Sequence, residues 1–243
     1  MRSLLLLLLL IPLTALAEPK VYFKIAVDEE AYTSFLLDNL ENRQSKLHTL
    51  ASRLKESFFE LKRVRKEFYN IYIQYGLKYN NRTVVQYELE PTVKDRFRHV
   101  IVVDEAHKTV LRREVYDTSG RLVYAYSFEG NNDVHRPDAP KHASISYEED
   151  DTLLGFGTVF RRTFKDGSSH YLFSDGLNKF SVFTKKTELE LEDNKRVLYG
   201  NYVLRKKSGD LLYTVVGTIP FEQMEKVIET FESGRKVKNE KED

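Results

Sequence analysis

The side chains of this chain that could do chemistry are few and scattered. Six histidines stand at positions 48, 99, 107, 135, 142 and 170, and no cysteine accompanies them. A metal site draws about four donors at short spacing. Here only His135 and His142 share a loop, and neither belongs to an HExxH-type pair. Ser168, Ser169, His170 and Asp175 include a nucleophile, a base and an acid. Neither serine sits in a GxSxG elbow, however, and DGSSH reads as a turn entering a strand. Gly155 and Gly157 form a lone GxG with no third glycine and no following helix, which does not make a dinucleotide loop. ELELED at 188–193 alternates like a strand with its carboxylates outward. Asn81-Arg82-Thr83 has the form of a glycosylation acceptor, a pattern that short turns match by chance. The reading is a non-enzyme with no catalytic residues, no metal and no cofactor.

Lys plus Arg (38) and Asp plus Glu (37) nearly cancel, so net charge gives no electrostatic case for nucleic acid as a partner. The first residues address the compartment. Arg2 is a positive start, 4–10 is an apolar run, and Ala15-Leu16-Ala17 is a small-residue cleavage site. The apolar stretch falls short of the roughly 20 residues that span a bilayer. A signal peptide over 1–17 and export to an extracytoplasmic space are expected, with the mature chain starting near Glu18.

These few polar groups need elements to position them. Leu40, Leu47, Leu54, Leu61 and Phe68 recur every seven residues, which predicts one long amphipathic helix or a helical pair over 28–72, packed on the protein's own sheet. From residue 71 the period becomes two. Strands are predicted at 71–79, 83–90, 96–104, 110–116 and 122–128, in an antiparallel meander. The polar stretch 130–152, with Pro137, Pro140 and an acidic run at 148–151, is the expected domain boundary. Strands resume at 157–164, 187–191, 197–206 and 211–217, with a hairpin at 170–185 turning on Asp175-Gly176. Pro220 starts a last helix with an apolar stripe of Phe221, Met224, Val227, Ile228 and Phe231, and Gly234 is expected to stop it before a disordered tail at 234–243.

Four segments, in order, resemble one family. Within HYLFSDGLNKFSVFTK (170–185), SDGL followed by SVF is similar to the C-terminal domain of the RseB/MucB family, periplasmic regulators of the envelope-stress sigma factor. KDRFRHVIVVDEAHKTVLRREVYDTSGRLVYAYSF (94–128) looks like the end of that family's LolA-like half-barrel. LLGFGTVFRR (153–162) resembles the start of its C-terminal domain, and YTVVGTIPFEQMEKVIETF (213–231) its closing strand and helix. The resemblance implies an α+β fold. A long N-terminal helix would lie on an antiparallel LolA-like half-barrel sheet (18–130), here shortened because its front is read as helix. A linker (131–152) and a small antiparallel β domain with a C-terminal helix (153–233) would follow. It also implies a regulatory protein that binds the periplasmic segment of a membrane-bound anti-sigma factor and shields it from proteolysis. Exposed aromatics near the interdomain cleft are the expected contacts, with Phe156, Phe160 and Tyr171 as candidates. Two other classes stay open: a LolA-like carrier of lipid or lipoprotein acyl chains, and an envelope structural protein that oligomerises through the N-terminal helix.

Overall fold

Alternation of apolar and polar residues, broken by two-residue turns, builds two antiparallel seven-stranded sheets in the computed structural model, which describes residues 20–27, 31–37, 54, 57–129 and 152–239. The first sheet contains β1 (Lys20–Ala26), β2 (Tyr32–Leu37), β3 (Tyr69–Tyr79), β4 (Arg82–Pro91), β5 (Arg98–Asp104), β6 (Val110–Tyr116) and β7 (Leu122–Glu129). Its spatial order is β2-β1-β7-β6-β5-β4-β3. The second contains β8 (Thr152–Leu153), β9 (Phe156–Thr163), β10 (Ser169–Ser174), β11 (Lys179–Lys186), β12 (Asn194–Leu198), β13 (Asn201–Ser208) and β14 (Leu211–Gly217), ordered β12-β13-β14-β11-β10-β9-β8. A helix, α1 (Phe221–Asn239), follows β14.

The turns explain the registers. Asn80 and Asn81 take φ of 48° and 61°, and Tyr199 and Gly200 take 47° and 73°. Two consecutive positive values are what a tight hairpin between right-twisted strands requires, and asparagine and glycine tolerate them best. The Tyr199-Gly200 turn divides the predicted strand 197–206 into β12 and β13.

One face of the first sheet carries Phe23, Leu89, Ile101, Val103, Tyr126 and Phe128. An extended strap, residues 57–68, covers it. Phe59, Leu61, Val64 and Phe68 point their side chains into that cluster, and Phe59 packs on Tyr87 at 4.9 Å between ring centroids. The strap's backbone bonds to its neighbours: Val110 N–H donates to the Ser57 carbonyl (3.0 Å), Arg65 N–H to the Asp175 carbonyl (3.0 Å), and Phe58 bridges Thr109.

This corrects the helix predicted over 28–72 at both of its ends, although Leu54 is helical. Residues 32–37 form a strand, and 57–68 are extended apart from two short 3₁₀ turns, Leu61–Arg63 and Lys66–Phe68. A seven-residue apolar spacing reports only that Leu61 and Phe68 share a buried side. An extended segment whose N–H groups find sheet partners satisfies it as well as a helix does. Residues 38–53 lie outside the described residues. The first sheet is therefore not cut short at its front, because β1 and β2 extend it beyond β7 through the β1–β7 and β1–β2 pairings.

On the second sheet, Met224, Val227 and Ile228 of α1 are fully buried against Phe173, Phe180 and Val215. Each such side chain contributes roughly 1.5–3 kcal/mol by leaving water. The helix runs through Gly234 to Asn239, so the predicted stop fails there. A glycine inside a helix costs only about 1 kcal/mol, which a packed stripe upstream can offset. Residues 187–191 are not a strand. The predicted signal peptide (1–17), the stretch 130–151 and residues 240–243 lie outside the described residues.

Candidate functional site

The turn of the β10–β11 hairpin is not a surface turn. Asp175 Oδ1 accepts from the backbone N–H of Leu177 (2.9 Å) and Asn178 (2.8 Å), which closes the loop on its own side chain. Gly176 takes φ +93°, and a Cβ there would lie 2.2 Å from the Arg63 carbonyl oxygen of the strap. Only glycine allows that approach. The tip of the hairpin thus inserts between strap and first sheet, leaving Asp175 and Asn178 at 0% exposure.

A chain of polar contacts receives it. Arg96, 1% exposed, donates from Nε to Asp175 Oδ2 (2.9 Å) and from Nη2 to the Leu154 carbonyl (3.2 Å), and its Nη1 pairs with Asp95. Its guanidinium lies between the rings of Phe68 (3.9 Å) and Phe156 (4.3 Å), which supply cation–π attraction where water is excluded. The Tyr69 hydroxyl donates to Asp175 Oδ2 (2.6 Å) and accepts from Asn178 Nδ2 (2.8 Å), which also donates to the Phe97 carbonyl (3.2 Å). Asn178 Oδ1 meets His99 Nε2 (2.9 Å), and His99 Nδ1 meets Arg113 Nη2 (3.0 Å). Arginine can only donate, so Nδ1 accepts and the proton sits on Nε2.

Burial, then the Arg113 charge, hold the His99 pKa well below its ordinary value and keep the ring neutral. Burial, then the Asp175 carboxylate, push the Tyr69 hydroxyl well up. Asp175, Asn178, Tyr69 and both His99 ring nitrogens find complementary partners, while Arg113 Nε and Asp95 Oδ1 are buried without one among the described residues.

A second contact lies at the other turn. Gly200 N–H donates to the Ala26 carbonyl (2.9 Å), and Tyr202 OH donates to Asp117 Oδ2 (2.7 Å) while accepting from Arg121 (2.9 Å). Between the two turns, Ala26, Val115 and Val123 of the first sheet, with Phe97 just before β5, belong to the same apolar cluster as Phe156, Phe173 and Phe180 of the second. The interval pictured as an open cleft is closed by shared core.

The three predicted contact rings therefore separate. Phe156 is a correction: it is 0% exposed, stacked on Arg96 and edge-on to Phe180 at 5.1 Å, so it is a core ring and not an exposed one. Tyr171 is half-buried on the helix side, edge-on to Phe231 at 5.0 Å. Phe160 is exposed on the opposite face of the sheet, against His170 at 5.3 Å. His170 Nε2 meets Ser181 Oγ (3.0 Å), not Ser168 or Ser169, and Asp175 is committed to Arg96. Among the described residues no three His, Asp or Glu side chains gather as metal ligands.

Sequence reasoning missed Arg96, Tyr69, His99, Arg113 and Asn178. Its one available signal was a histidine on the buried register of an apolar strand, HVIVV (99–103).

Residues 142–232 match the family model of the MucB/RseB C-terminal domain. The match begins inside the interval read as a linker. No curated protein matches the chain in sequence. Among solved structures, the crystal structure of MucB in complex with MucA(peri) superposes with a TM-score of 0.55 at 16% identity, covering 87% of this chain and 91% of that one. The complex structure of Pseudomonas aeruginosa MucA/MucB gives 0.53 at 15% identity, with 86% and 91% covered. A crystal structure of MucB gives 0.52 at 15%, with 86% and 89% covered. At such identities the likeness establishes a shared fold. Of the residues that carry the sequence resemblance, Gly155, Phe156 and Asp175 converge on Arg96.

Proposed function

We propose that this protein, whose residues 142–232 match the MucB/RseB C-terminal domain and whose fold is that of MucB, is an exported periplasmic regulator that binds the periplasmic segment of a membrane-bound anti-sigma factor. The carrying observation is the domain match, set on a fold shared with a MucB structure solved with MucA(peri). The leader over 1–17 would deliver the chain, which divides into a unit ending near 130 and a unit beginning near 153.

Geometry supports a binding role. The sheet edges at β3 and β2 have no strand neighbour among the described residues, and β3 presents Tyr72 and Tyr75 at 54% and 68% exposure. An extended partner segment can add to such an edge through main-chain hydrogen bonds. Of the three rings first considered, Phe160 and Tyr171 keep surface for contact. The carrier reading has less support, because the apolar face of the first sheet is already covered by Phe59, Leu61, Val64 and Phe68.

The test is calorimetric titration of the purified exported protein with the purified periplasmic segment of its host's envelope-stress anti-sigma factor, alongside a protease-protection assay of that segment. Saturable binding with slowed cleavage is expected. Absence of binding, together with an acyl chain found on the protein by mass spectrometry, would overturn the reading in favour of the carrier.

A further inference from the structure

The outer face of the second sheet, opposite α1, carries cations and no carboxylates on its strands. Register fixes which side chains point there. Lys195 of β12 pairs with Glu225 of the helix (2.7 Å), so its neighbours Asn194 and Arg196 face away. Through the pairings Arg196↔Val203, Val203↔Val216, Ser181↔Val216 and Leu172↔Ser181, the same outward face runs across the sheet to Phe160. Its long charged side chains are cationic: Arg162, Lys185, Arg196, Arg205 and Lys207. No outward position of β9 to β14 holds a carboxylate. The acids sit at the rim, at Asp166, Glu190 and Asp210, and among the described residues Lys207 alone of the five cations has an ion pair, with Glu190 (2.7 Å). The whole chain is nearly neutral at +1, so this is a local asymmetry.

In the middle lies a row of rings across three adjacent strands. His170 stacks on Phe183 at 4.2 Å and 14° between planes, and meets Phe160 edge-on at 5.3 Å. Phe160 and Phe183 remain 41% and 40% exposed. Nothing among the described residues covers them, because α1 and the first sheet both pack on the other side.

We propose that this outer face docks an acidic, extended polypeptide segment, with Phe160, His170 and Phe183 holding its apolar side chains and the arginines meeting its carboxylates. A flat apolar row flanked by guanidinium groups matches alternating apolar and acidic residues. Arginine is the cation suited to bidentate carboxylate contact. The rings lie along the pleated surface and do not protrude from a loop tip, so they form a platform and not the wedge that enters a bilayer. The inference rests on the binding-protein reading above but not on the identity of the partner.

The experiment uses the exported protein and a fluorescein-labelled nine-residue peptide alternating Glu or Asp with Phe or Leu, with a lysine-for-carboxylate version as comparison. Anisotropy should show binding of the acidic peptide only, weakening with added salt. Arg162→Glu with Arg205→Glu should cut affinity by about tenfold or more, and Phe183→Ser by a similar factor, while urea midpoints hold. Equal binding of the two peptides, or unchanged affinity in the double variant, would overturn the proposal. So would variant-sensitive binding of phosphatidylglycerol vesicles without peptide binding. If acidic-peptide binding fails while the anti-sigma segment still titrates, the surface is wrong and the partner stands; the reverse result removes the partner and leaves the surface.

Discussion

Asp175→Ala deletes the acceptor for four donors at once: Arg96 Nε, the Tyr69 hydroxyl, and the backbone N–H of Leu177 and of Asn178. A buried charge left without its partner costs about 3–5 kcal/mol. Orphaned buried N–H groups add about 1–3 kcal/mol each, although contributions within one network do not sum. Asp95 stays beside Arg96 and offsets part of the loss. The expected total is about 4 kcal/mol, which for a chain of this size lowers Tm by roughly 8–16 °C. Asp166→Ala is the internal control. Asp166 closes a turn of the same kind, accepting from Ser168 N–H (3.1 Å) and Ser168 Oγ (2.6 Å), but in full contact with water. Its loss should leave the unfolding midpoint where it was. With no tryptophan and 15 tyrosines, far-UV circular dichroism and tyrosine emission in urea are the natural assays. A loss under about 1 kcal/mol for Asp175→Ala, or equal shifts in the two variants, would refute the claim that this turn locks the sheets together.

Phe156→Ala should cost about 3–5 kcal/mol as a core truncation, whereas Phe160→Ala should stay within about 0.5 kcal/mol by the same urea titration. Gly155→Ala should lose about 1–3 kcal/mol, since φ is +79° and the new Cβ would sit 2.5 Å from Phe68 Cζ; a melting curve matching wild type would contradict the packing. The pH dependence follows from His99, whose folded pKa lies well below its ordinary 6.5 through burial and Arg113. The unfolded chain binds a proton that the folded chain refuses. The His99 contribution is therefore complete above about pH 6.5 and is lost below it by up to about 1.4 kcal/mol per pH unit. His99→Asn should flatten the difference between midpoints measured at pH 7.5 and pH 5.5, and an unchanged slope would assign the acid sensitivity elsewhere.

The strands and the closing helix were legible because their information is local. A period of two from residue 71 onward, paired turn residues at Asn80-Asn81 and Asp175-Gly176, and the stripe Met224, Val227, Ile228 each state their structure within a few residues. The family resemblance was legible for the same reason, since short strings such as SDGL and GFG keep their form. What those strings do was not. Asp175 lies 79 residues from Arg96 and 106 from Tyr69, and no local preference says that a hairpin tip will be buried against a distant strand. The strap at 57–68 was misread because a seven-residue apolar repeat fixes which side is buried but not the backbone that presents it, and its hydrogen-bond partners come from Lys108, Val110 and Asp175. Sequence alone determined most strands from residue 71 onward, the closing helix and the kind of domain they make. Tertiary structure alone decided that Phe156 is interior and Phe160 exterior, because a ring's fate depends on which surface arrives to cover it.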